Sequence, residues 1–590
     1  MLERTTLRKN TKMTKTKIIS PLKRFWQILH KYRHEVNSIY IYGFFSALIS
    51  LSVPLGIQAI VNLIQGVQIS TSWIVVVILV TVGIIVSGFL MIMQQVVSEN
   101  IQQKIFVNSA FDFANRIPKF KTEAVDKAFI PELVNRFFDT IIVQKGVSKI
   151  LLDYSIAIIQ IVLGLILLMF YHPFFISFSL IVIIIMYFII KYTFPIGLDT
   201  SIQESKYKYK LVHWLEDLGR SMKTFKLAGT TSLALDKSDI ITTEWIKHRK
   251  KHFRIFIIQY ICMVVLKGFI TAGLLIVGGL LVINQQMNIG QFIAAEIIIL
   301  MILIAVEKLI TGFETFFDVL TSLEKIGEVT DIPLEDQGTI VLDNNRSGLS
   351  VQIKNMSFIF PENNYKTLED IDLVVESGQK IGIAGYNGSG KSTLLKIIAG
   401  LYNEYTGSLS FNEIPMRNLH TDTLRGIIGD NLNENTLFEG SIYENIAMGK
   451  EETSMAEVIK ICDLLNLLPY IQSLPQGIET TILSEGKTLS NSIKLKIILA
   501  RCIAENPRLI LLEDTFGQLE ASLRNKITEY FFEKKSKWTV FITTNNPDYL
   551  KMLDRVVVLE DGKIIADGTY SELSEKEIGG KLFYNKEDEN

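Results

Sequence analysis

The sequence predicts an α-helical transmembrane domain with six spans, followed by a C-terminal α/β domain of the P-loop NTPase class. Three observations predict this fold class. The first half of the chain holds six long apolar stretches, a glycine-rich loop begins at Gly385, and strand-type and helix-type segments alternate around that loop. At 590 residues the chain is too long for one hydrophobic core, so several domains are expected.

Composition and charge exclude some classes of function. Hydrophobic residues make up 48% of the chain and crowd into its first half, which is atypical of a soluble protein. The net charge of −1 gives no bias toward nucleic acid, so no nucleic-acid partner is expected. Three cysteines lie far apart, without CxxC or Cys/His spacing, and therefore support neither a disulfide framework nor a zinc site.

Residues 1–36 form a basic tail in which ten Lys and Arg residues outnumber two acids. Ser20 and Pro21 are typical of a helix N-cap and first helical residue. Apolar and basic residues then alternate at helical spacing, which favours an elbow helix on the inner membrane face over one packed only on protein. A transit peptide is disfavoured because no cleavable apolar core with a small-residue cleavage site follows.

Six apolar stretches have the length of about 20 residues that crosses ~30 Å of hydrocarbon. They lie near 38–60, 73–93, 151–171, 174–193, 256–283 and 291–311. A buried soluble helical core is the weaker alternative for so many runs. The short connections lack Lys and Arg, whereas the tail and the long connections 94–149 and 194–253 are rich in them. This pattern predicts a multi-pass protein of the plasma membrane with both termini in the cytosol.

Polar side chains inside the spans are candidates for function. Counted from the last outer turn, Lys267 and Glu307 lie at matching depths of about 30 Å and are expected to pair. Glu296 lies only about 13 Å down with no cation at that depth, so we expect it to face a wet cavity or a second subunit. Gln58 and Gln160 join Glu296 as a predicted substrate path, although an interhelical hydrogen bond is the alternative for each glutamine.

The glycine-rich loop reads G-x-x-x-x-G-K-S and lies between a strand-type and a helix-type run. Its residues are Gly385, Tyr386, Asn387, Gly388, Ser389, Gly390, Lys391, Ser392 and Thr393. Backbone N–H groups of such a loop surround phosphate oxygens, and the helix N-terminus adds its positive end. Lys391 is expected to contact the β- and γ-phosphates and Ser392 to bind Mg²⁺. The alternative is a glycine-rich turn with a chance lysine.

Two carboxylates, Glu513 and Asp514, end an apolar strand-type run that follows the loop in the chain. After a P-loop, this is where Mg²⁺ and an attacking water require acids. Upstream, residues 331–346 turn polar and predict a linker. The linker divides a transmembrane domain at 37–330 from a nucleotide-binding domain at 347–590.

Six spans with long cytosolic connections, followed by a P-loop domain, resemble an ATP-binding cassette (ABC) exporter half-transporter. Ser52–Val61 and Asn288–Gln291 are similar to the type I secretion and bacteriocin-export branch, here without an N-terminal peptidase domain. The resemblance implies ATP and Mg²⁺ as cofactors and a bacterial plasma membrane as the location. It also implies a second half-transporter as partner, in a homodimer or heterodimer, and an exported peptide, small protein or other amphiphile as cargo.

The resemblance also implies roles for residues outside the loop. Phe360 stands where the family places an aromatic ring on adenine, and a flat ring is all that stacking requires. Asn433 falls at the glutamine that contacts Mg²⁺ and water. Ser490 is the retained serine of the family's L-S-G-G-Q signature, which reads L-S-N-S-I here.

The positions implied for hydrolysis depart from the family pattern. The Asp-Glu pair is inverted to Glu513-Asp514, and Asn545 replaces the switch histidine. The resemblance therefore implies a catalytic set of Asp514, Glu513, Asn545 and Asn433. The residues that it implies near the metal are Ser392, Glu513 and Asn433. Asp514 is one methylene shorter than glutamate, and a misplacement of about 1 Å can cost on the order of 10²-fold in rate. The sequence therefore predicts intact ATP binding and slow hydrolysis. It leaves open an export pump or a regulatory, non-hydrolysing subunit of a heterodimeric complex.

Overall fold

The computed structural model describes residues 20–65, 71–126, 128–343, 347–361, 363–432, 437–504, 506–533, 536–576 and 582–583. The chain folds as two compact units. The first, here called the helical unit, comprises Met1–Lys119 and Lys127–Pro333. The second, called the sheet unit, comprises Phe120–Asp126 and Leu334–Asn590.

Helices make up the first part of the described chain. They are α1 (Pro21–Lys31), α2 (Arg33–Gln65), α3 (Thr71–Arg116), α4 (Thr122–Val125), α5 (Ile130–Asn135), α6 (Asp139–Lys149), α7 (Ser155–Met169), α8 (Phe174–Arg220), α9 (Met222–Leu227), α10 (Leu233–Gly273), α11 (Gly279–Ile283) and α12 (Ile289–Thr330). Short π-helical segments join α6 to α7 and α10 to α11. All of these helices except α4 lie in the helical unit.

Six continuous helical segments of the described chain are long and apolar enough to cross a bilayer. They are Arg33–Gln65, Thr71–Lys119, Ile130–Met169, Phe174–Arg220, Leu233–Ile283 and Ile289–Thr330. The prediction of six spans is confirmed. Four of the segments have 42 residues or more, so they continue well past the length that the hydrocarbon core requires.

The sixth segment, α12, is the most buried of the six. It begins with a capping box in which the Asn288 side chain accepts from the Gln291 N–H at 2.7 Å. Lower down, a Cβ at Gly197 of α8 would lie 2.4 Å from the ring of Phe317, so glycine permits the close approach of these two helices. The expected pair between Lys267 of α10 and Glu307 of α12 is present as an ion pair.

Helix α1 starts at Pro21 after the N-cap Ser20, as the sequence predicts. Phe25 is buried and meets the ring of Phe316 at 5.1 Å, whereas Trp26 is 65% exposed. One face of α1 therefore packs on protein, and the other is free for a membrane surface, where its placement stays a prediction. Arg24 forms an ion pair with Asp331 and so ties α1 to the end of the helical unit.

The sheet unit is built from twelve described strands. They are β1 (Val351–Phe358), β2 (Leu368–Val375), β3 (Lys380–Gly385), β4 (Thr406–Phe411), β5 (Ile414–Pro415), β6 (Ile428–Asp430), β7 (Gly440–Ser441), β8 (Thr481–Ile482), β9 (Leu509–Glu513), β10 (Thr539–Thr543), β11 (Arg555–Glu560) and β12 (Lys563–Gly568). The main sheet has the order β12-β11-β3-β10-β9-β6, and β12 alone runs antiparallel to its neighbour. An antiparallel sheet, β2-β1-β4-β5, and the pair β7-β8 complete the strands.

Helices cover the main sheet. They are α13 (Lys391–Ile398), α14 (Thr421–Arg425), α15 (Ile442–Ala447), α16 (Met455–Leu464), α17 (Leu468–Ser473), α18 (Asn491–Ala504), α19 (Ala521–Phe532), α20 (Pro547–Leu550) and α21 (Tyr570–Ser574). One core cluster joins α13 and the antiparallel sheet to one face, and another packs α16, α18 and α19 on the other face. Strand β3 is buried throughout, as is typical of a central parallel strand.

The parallel register decides where the site lies. Thr543 of β10 pairs with Ile383 of β3 on one side and with Glu513 of β9 on the other. The carboxyl ends of these three strands therefore meet at one edge of the sheet. In open α/β sheets this edge forms the ligand-binding crevice.

The segment Phe120–Asp126, which contains α4, belongs to the sheet unit. The hydroxyl of Tyr402 donates to Asp126 at 2.8 Å, and the carboxylate of Glu123 accepts from the backbone N–H groups of Asn403 and Glu404. The sequence of this segment does not indicate its position, because acidic residues are common in polar turns. Only the fold brings Tyr402 beside Asp126.

Candidate nucleotide site

The loop between β3 and α13 has the backbone that a phosphate cradle requires. Gly390 has φ 99°, in the left-handed region, and a Cβ there would lie 2.7 Å from the Leu368 side chain. A Cβ at Gly385 would lie 2.2 Å from the carbonyl oxygen of Leu559. Glycine is therefore required at both positions, and the loop amides are left uncovered at the start of α13.

Lys391 lies over this loop. Its Nζ donates to the carbonyl oxygen of Gly385 at 2.8 Å and to that of Tyr386 at 2.7 Å. Burial lowers the pKa of the Lys391 ammonium from its usual value. The hydroxyl-bearing Ser392 is exposed and Thr393 is half-buried. An ammonium, a row of loop amides and an open hydroxyl fit a polyphosphate with its Mg²⁺.

The loop's other predicted contacts divide into exposed and buried residues. Tyr386, Asn387 and Gly388 are exposed, so the outer part of the loop is open to a ligand. Ser389 is buried, and its carbonyl oxygen accepts from the Gly562 N–H at 3.2 Å. The loop is thus anchored to the turn that follows β11 while its outer part stays accessible.

The two carboxylates follow β9, close to the end of β10. Asn431, which is buried, accepts from the Glu513 N–H at 2.7 Å and donates to the Glu513 carbonyl at 3.0 Å. It also donates to the Thr515 hydroxyl at 3.2 Å. Asn431 therefore fixes the backbone that carries the predicted metal residue. Sequence reasoning missed it, and its position directly after the short apolar run of β6 was the available signal.

Asp514 is held by its neighbours in the chain and in β10. Its carboxylate accepts from the Thr544 hydroxyl at 2.5 Å, and its backbone N–H donates to the Thr543 carbonyl at 3.1 Å. One edge of the carboxyl is exposed, but protein atoms displace water from the rest, and this desolvation raises its pKa. A raised pKa and a fixed rotamer suit a carboxyl group that handles a proton.

Asn545 is bound to the loop itself. Its side-chain oxygen accepts from the Gly385 N–H at 2.9 Å, and its side-chain nitrogen donates to the Gly385 carbonyl at 3.0 Å. The structure thus brings Asn545 and the loop together, as the sequence predicts. Both polar atoms of the amide are engaged with protein, which a histidine at this position would not reproduce with the same pair of bonds.

Phe360 follows β1, and its ring lies in an aromatic group. It meets Tyr402 edge to face at 5.5 Å and Phe358 edge to face at 4.9 Å. The ring is half-buried and is fixed by these contacts. Its stacking on adenine remains a prediction.

The remaining predicted nucleotide residues are less well defined by contacts. Ser490 precedes α18, is exposed, and accepts from the Ile493 N–H at 3.3 Å, so it acts as a local cap. Asn433 lies outside the described residues. Within the described chain, no group of three or more His, Cys, Asp or Glu residues could hold a metal ion. A Mg²⁺ that uses Ser392 and Glu513 would therefore take its other ligands from the nucleotide and water.

The three predicted substrate-path residues lie on α2, α7 and α12, which pack on one another. Gln58 accepts a hydrogen bond from the Tyr171 hydroxyl at 2.7 Å, which agrees with the structural alternative for this residue. Gln160 and Glu296 are half-buried, and no hydrogen bond or ion pair reaches either from the described residues. Glu296 is thus an unpaired acid in an apolar helix, as its sequence depth predicts.

Comparisons with known protein families match both units. Residues 38–306 match the ABC transporter transmembrane region, and residues 368–517 match the ABC transporter nucleotide-domain family. The first match covers four of the six apolar segments in full and most of the first and part of the last. The second begins at β2 and ends just after the two carboxylates.

Relatives include export and translocation proteins. YgaD of Bacillus subtilis (strain 168), a candidate multidrug export ATP-binding/permease protein, is 30% identical over 306 residues, covering 51% of this chain and 52% of the relative. HlyB of Escherichia coli O157:H7, an alpha-hemolysin translocation ATP-binding protein, is 30% identical over 300 residues, covering 51% of this chain and 42% of the relative. The chain thus spans about half the length of the curated relatives it matches.

Among solved structures, a bacterial Atm1-family ABC exporter with ATP bound superposes with a TM-score of 0.81. The match covers 94% of this chain and 99% of that one at 16% sequence identity, so it reports on fold. Fold, both family regions and the nucleotide-site geometry agree. The fold is therefore that of an ABC exporter, and the chain carries one region that matches the ABC transporter transmembrane region and one that matches the ABC transporter family.

Proposed function

We propose that this protein drives export of a peptide or small protein across the bacterial plasma membrane, using ATP and working as a dimer with slow hydrolysis. The observation that carries the proposal is the complete phosphate cradle at Gly385–Lys391, on a chain with six apolar membrane-length segments. Among the relatives named above, only the alpha-hemolysin translocation protein supports a peptide or protein cargo. The multidrug export relative supports a smaller amphiphile as the competing cargo.

Particular residues would hold the nucleotide. The loop amides and Lys391 would face the phosphates, Ser392 and Glu513 would face Mg²⁺, and Phe360 would offer its ring to adenine. Bound Mg²⁺ neutralises phosphate charge and so assists phosphoryl transfer to water. Asn431 supports this arrangement because it fixes the backbone of Glu513.

We expect slow hydrolysis because of the contacts that Asp514 and Asn545 make, the two residues at positions implied to act on the attacking water. Asp514 is short and is already bound to the Thr544 hydroxyl, so its carboxylate lies closer to β9 than a glutamate carboxylate would. Asn545 is bound through both polar atoms to Gly385 and cannot supply a charged proton donor. We infer that a partner cassette with complete motifs would accelerate the cycle.

The regulatory, non-hydrolysing subunit is the less favoured function, since the named relatives are export or translocation proteins. ATPase activity of the purified chain in liposomes, compared with Lys391→Ala, separates the two functions. The proposal expects Mg²⁺-dependent turnover above that of the variant. Turnover equal to that of Lys391→Ala would instead support the non-hydrolysing subunit.

A further inference from the structure

The helical unit contains a cavity of about 550 Å³, here called the basic cavity. It lies among α5, α8, α10 and α12, in the parts of these helices that continue past the predicted spans. Its wall includes the cationic side chains Arg136, Lys206, Lys210, Lys237 and Lys325. Three acids also line it: Glu132, Asp217 and Glu328.

The charges at the base of the basic cavity compensate one another. Arg136 is buried, and it donates to Glu132 at 3.1 Å and to Glu328 at 3.2 Å. Its guanidinium lies 3.6 Å from the centre of the Tyr209 ring. Lys325 is also buried and binds Glu328. Two cations and two carboxylates thus pair at the base, where the His213 ring also lies 2.9 Å from the Glu132 carboxylate, and one buried guanidinium nitrogen of Arg136 has no partner among the described residues.

The charges at the mouth do not balance. Lys206, Lys210 and Lys237 are exposed, and no described carboxylate lies within ion-pair distance of any of them. Asp217, the remaining acid of the wall, is engaged by Arg220. The three lysines therefore stand around a concave surface without an acid partner among the described residues, Lys210 over the Tyr207 ring at 4.9 Å and Lys237 over the Trp214 ring at 4.4 Å. Field lines from such a set concentrate on the cavity and attract anions.

The location of the cavity indicates where the anion comes from. Tyr209, in its wall, follows the predicted span 174–193 by 16 residues of the continuous helix α8. At 1.5 Å per residue this is about 24 Å of helix beyond the hydrocarbon. A lipid headgroup lies much closer to the hydrocarbon than this. The anion must therefore be soluble.

We propose that the basic cavity binds a small soluble organic anion that carries two or more phosphate or carboxylate groups. Lys206, Lys210 and Lys237 would pair with those groups, since charge-assisted hydrogen bonds to phosphate and carboxylate oxygens are the strong ones. The site is distinct from the ATP site, because all of its lining residues belong to the helical unit. It does not depend on the export function proposed above.

Binding of inorganic pyrophosphate, with citrate as a second probe, tests this site by calorimetry. The full-length chain is used in nanodiscs of zwitterionic lipid at low ionic strength, and every protein carries Lys391→Ala to weaken the ATP site. The test variant replaces Lys206, Lys210 and Lys237 with Ala. The matched control replaces Lys223 and Lys226 of α9 and Lys250 of α10, which are also exposed but do not line the cavity.

We expect saturable binding that weakens by roughly tenfold or more in the test variant, because hydrogen bonds to charged groups are the stronger ones. The control should bind as the parent does, and Arg at the three test positions should restore binding. Equal weakening of binding in the test and control variants would show that binding depends only on net charge, and this would overturn the proposal. Absence of saturable binding of both probes to the parent would overturn it as well.

Discussion

The two halves of the candidate nucleotide site are built differently. In the holding half, from Gly385 to Ser392, the outer loop residues and Ser392 are exposed, and Lys391 donates to two carbonyl oxygens of the loop and to the Ser389 hydroxyl at 3.5 Å. In the hydrolysis half, Asp514 is bound to Thr544 and Asn545 is bound to Gly385. The outer side of the loop is exposed to a ligand, whereas the polar side chains of the hydrolysis half are already hydrogen-bonded to protein.

This difference shows that nucleotide binding and nucleotide turnover are separable properties of one fold. The holding half depends mainly on backbone geometry, so it survives many side-chain changes elsewhere. The hydrolysis half depends on the reach and protonation of two side chains, so single substitutions alter it. Variants that affect only one half test the comparison directly.

The largest effect is expected from Lys391→Ala, which breaks the holding half. Loss of a charged donor at the phosphates should reduce turnover by about 10²-fold or more, in line with the removal of other preorganised donors. It should also weaken equilibrium binding of MgATP. Lys396→Ala, on the same helix α13 but outside the loop, serves as the control and should leave both unchanged. Equal effects of the two variants would count against the role of Lys391.

Asp514→Glu should repair part of the hydrolysis half. The added methylene extends the carboxylate toward the crevice, and turnover should rise by roughly ten- to a hundredfold, the cost associated with a misplacement of about 1 Å. Affinity for MgATP should not change, because the holding half is untouched. Asp514→Asn keeps the shape without the charge and should show no gain. A glutamate variant as slow as the parent would show that Asp514 does not limit the rate.

These two predictions concern a loop and spans that the sequence alone predicts. Six apolar stretches and the glycine spacing before Lys391 are local signals, so spans and loop follow from sequence alone. The contacts that hold the site are not local. Asn431 meets Glu513 across 82 residues, Asn545 meets Gly385 across 160, and Asp126 meets Tyr402 across 276. The strand order brings the first two pairs together, the packing of the segment Phe120–Asp126 on the sheet unit brings the third together, and no periodic pattern encodes either.

A smaller effect is expected from Asn545→Ala, which removes the link between the two halves. Two hydrogen bonds to Gly385 are lost, and each contributes about 0.5–1.5 kcal/mol. The unfolding free energy of the cassette should therefore fall by about 1–3 kcal/mol, and the Gly385 amide should exchange faster with deuterium. Asn546→Ala, at the neighbouring cap of α20, is the control for general destabilisation. Unchanged exchange at Gly385 would contradict the described contact.

The smallest effect is expected from a substitution in the membrane-spanning part of the chain rather than in the cassette. Glu296→Cys, in a background without the three native cysteines, should react with a membrane-impermeant thiol reagent, because an unpaired acid is expected to face water. Leu300→Cys, one turn along α12 and 52% exposed, should react more slowly where that face meets lipid. Equal rates for the two cysteines would remove Glu296 from the predicted substrate path.

The central claim is that the chain binds MgATP and hydrolyses it slowly. The most direct test measures equilibrium binding of MgATP and steady-state turnover on one preparation of the purified chain. We predict saturable binding that Lys391→Ala weakens, together with turnover far below the median enzyme value of about 10 s⁻¹. Absence of saturable MgATP binding, or turnover by the unmodified chain at or above that median, would contradict the account.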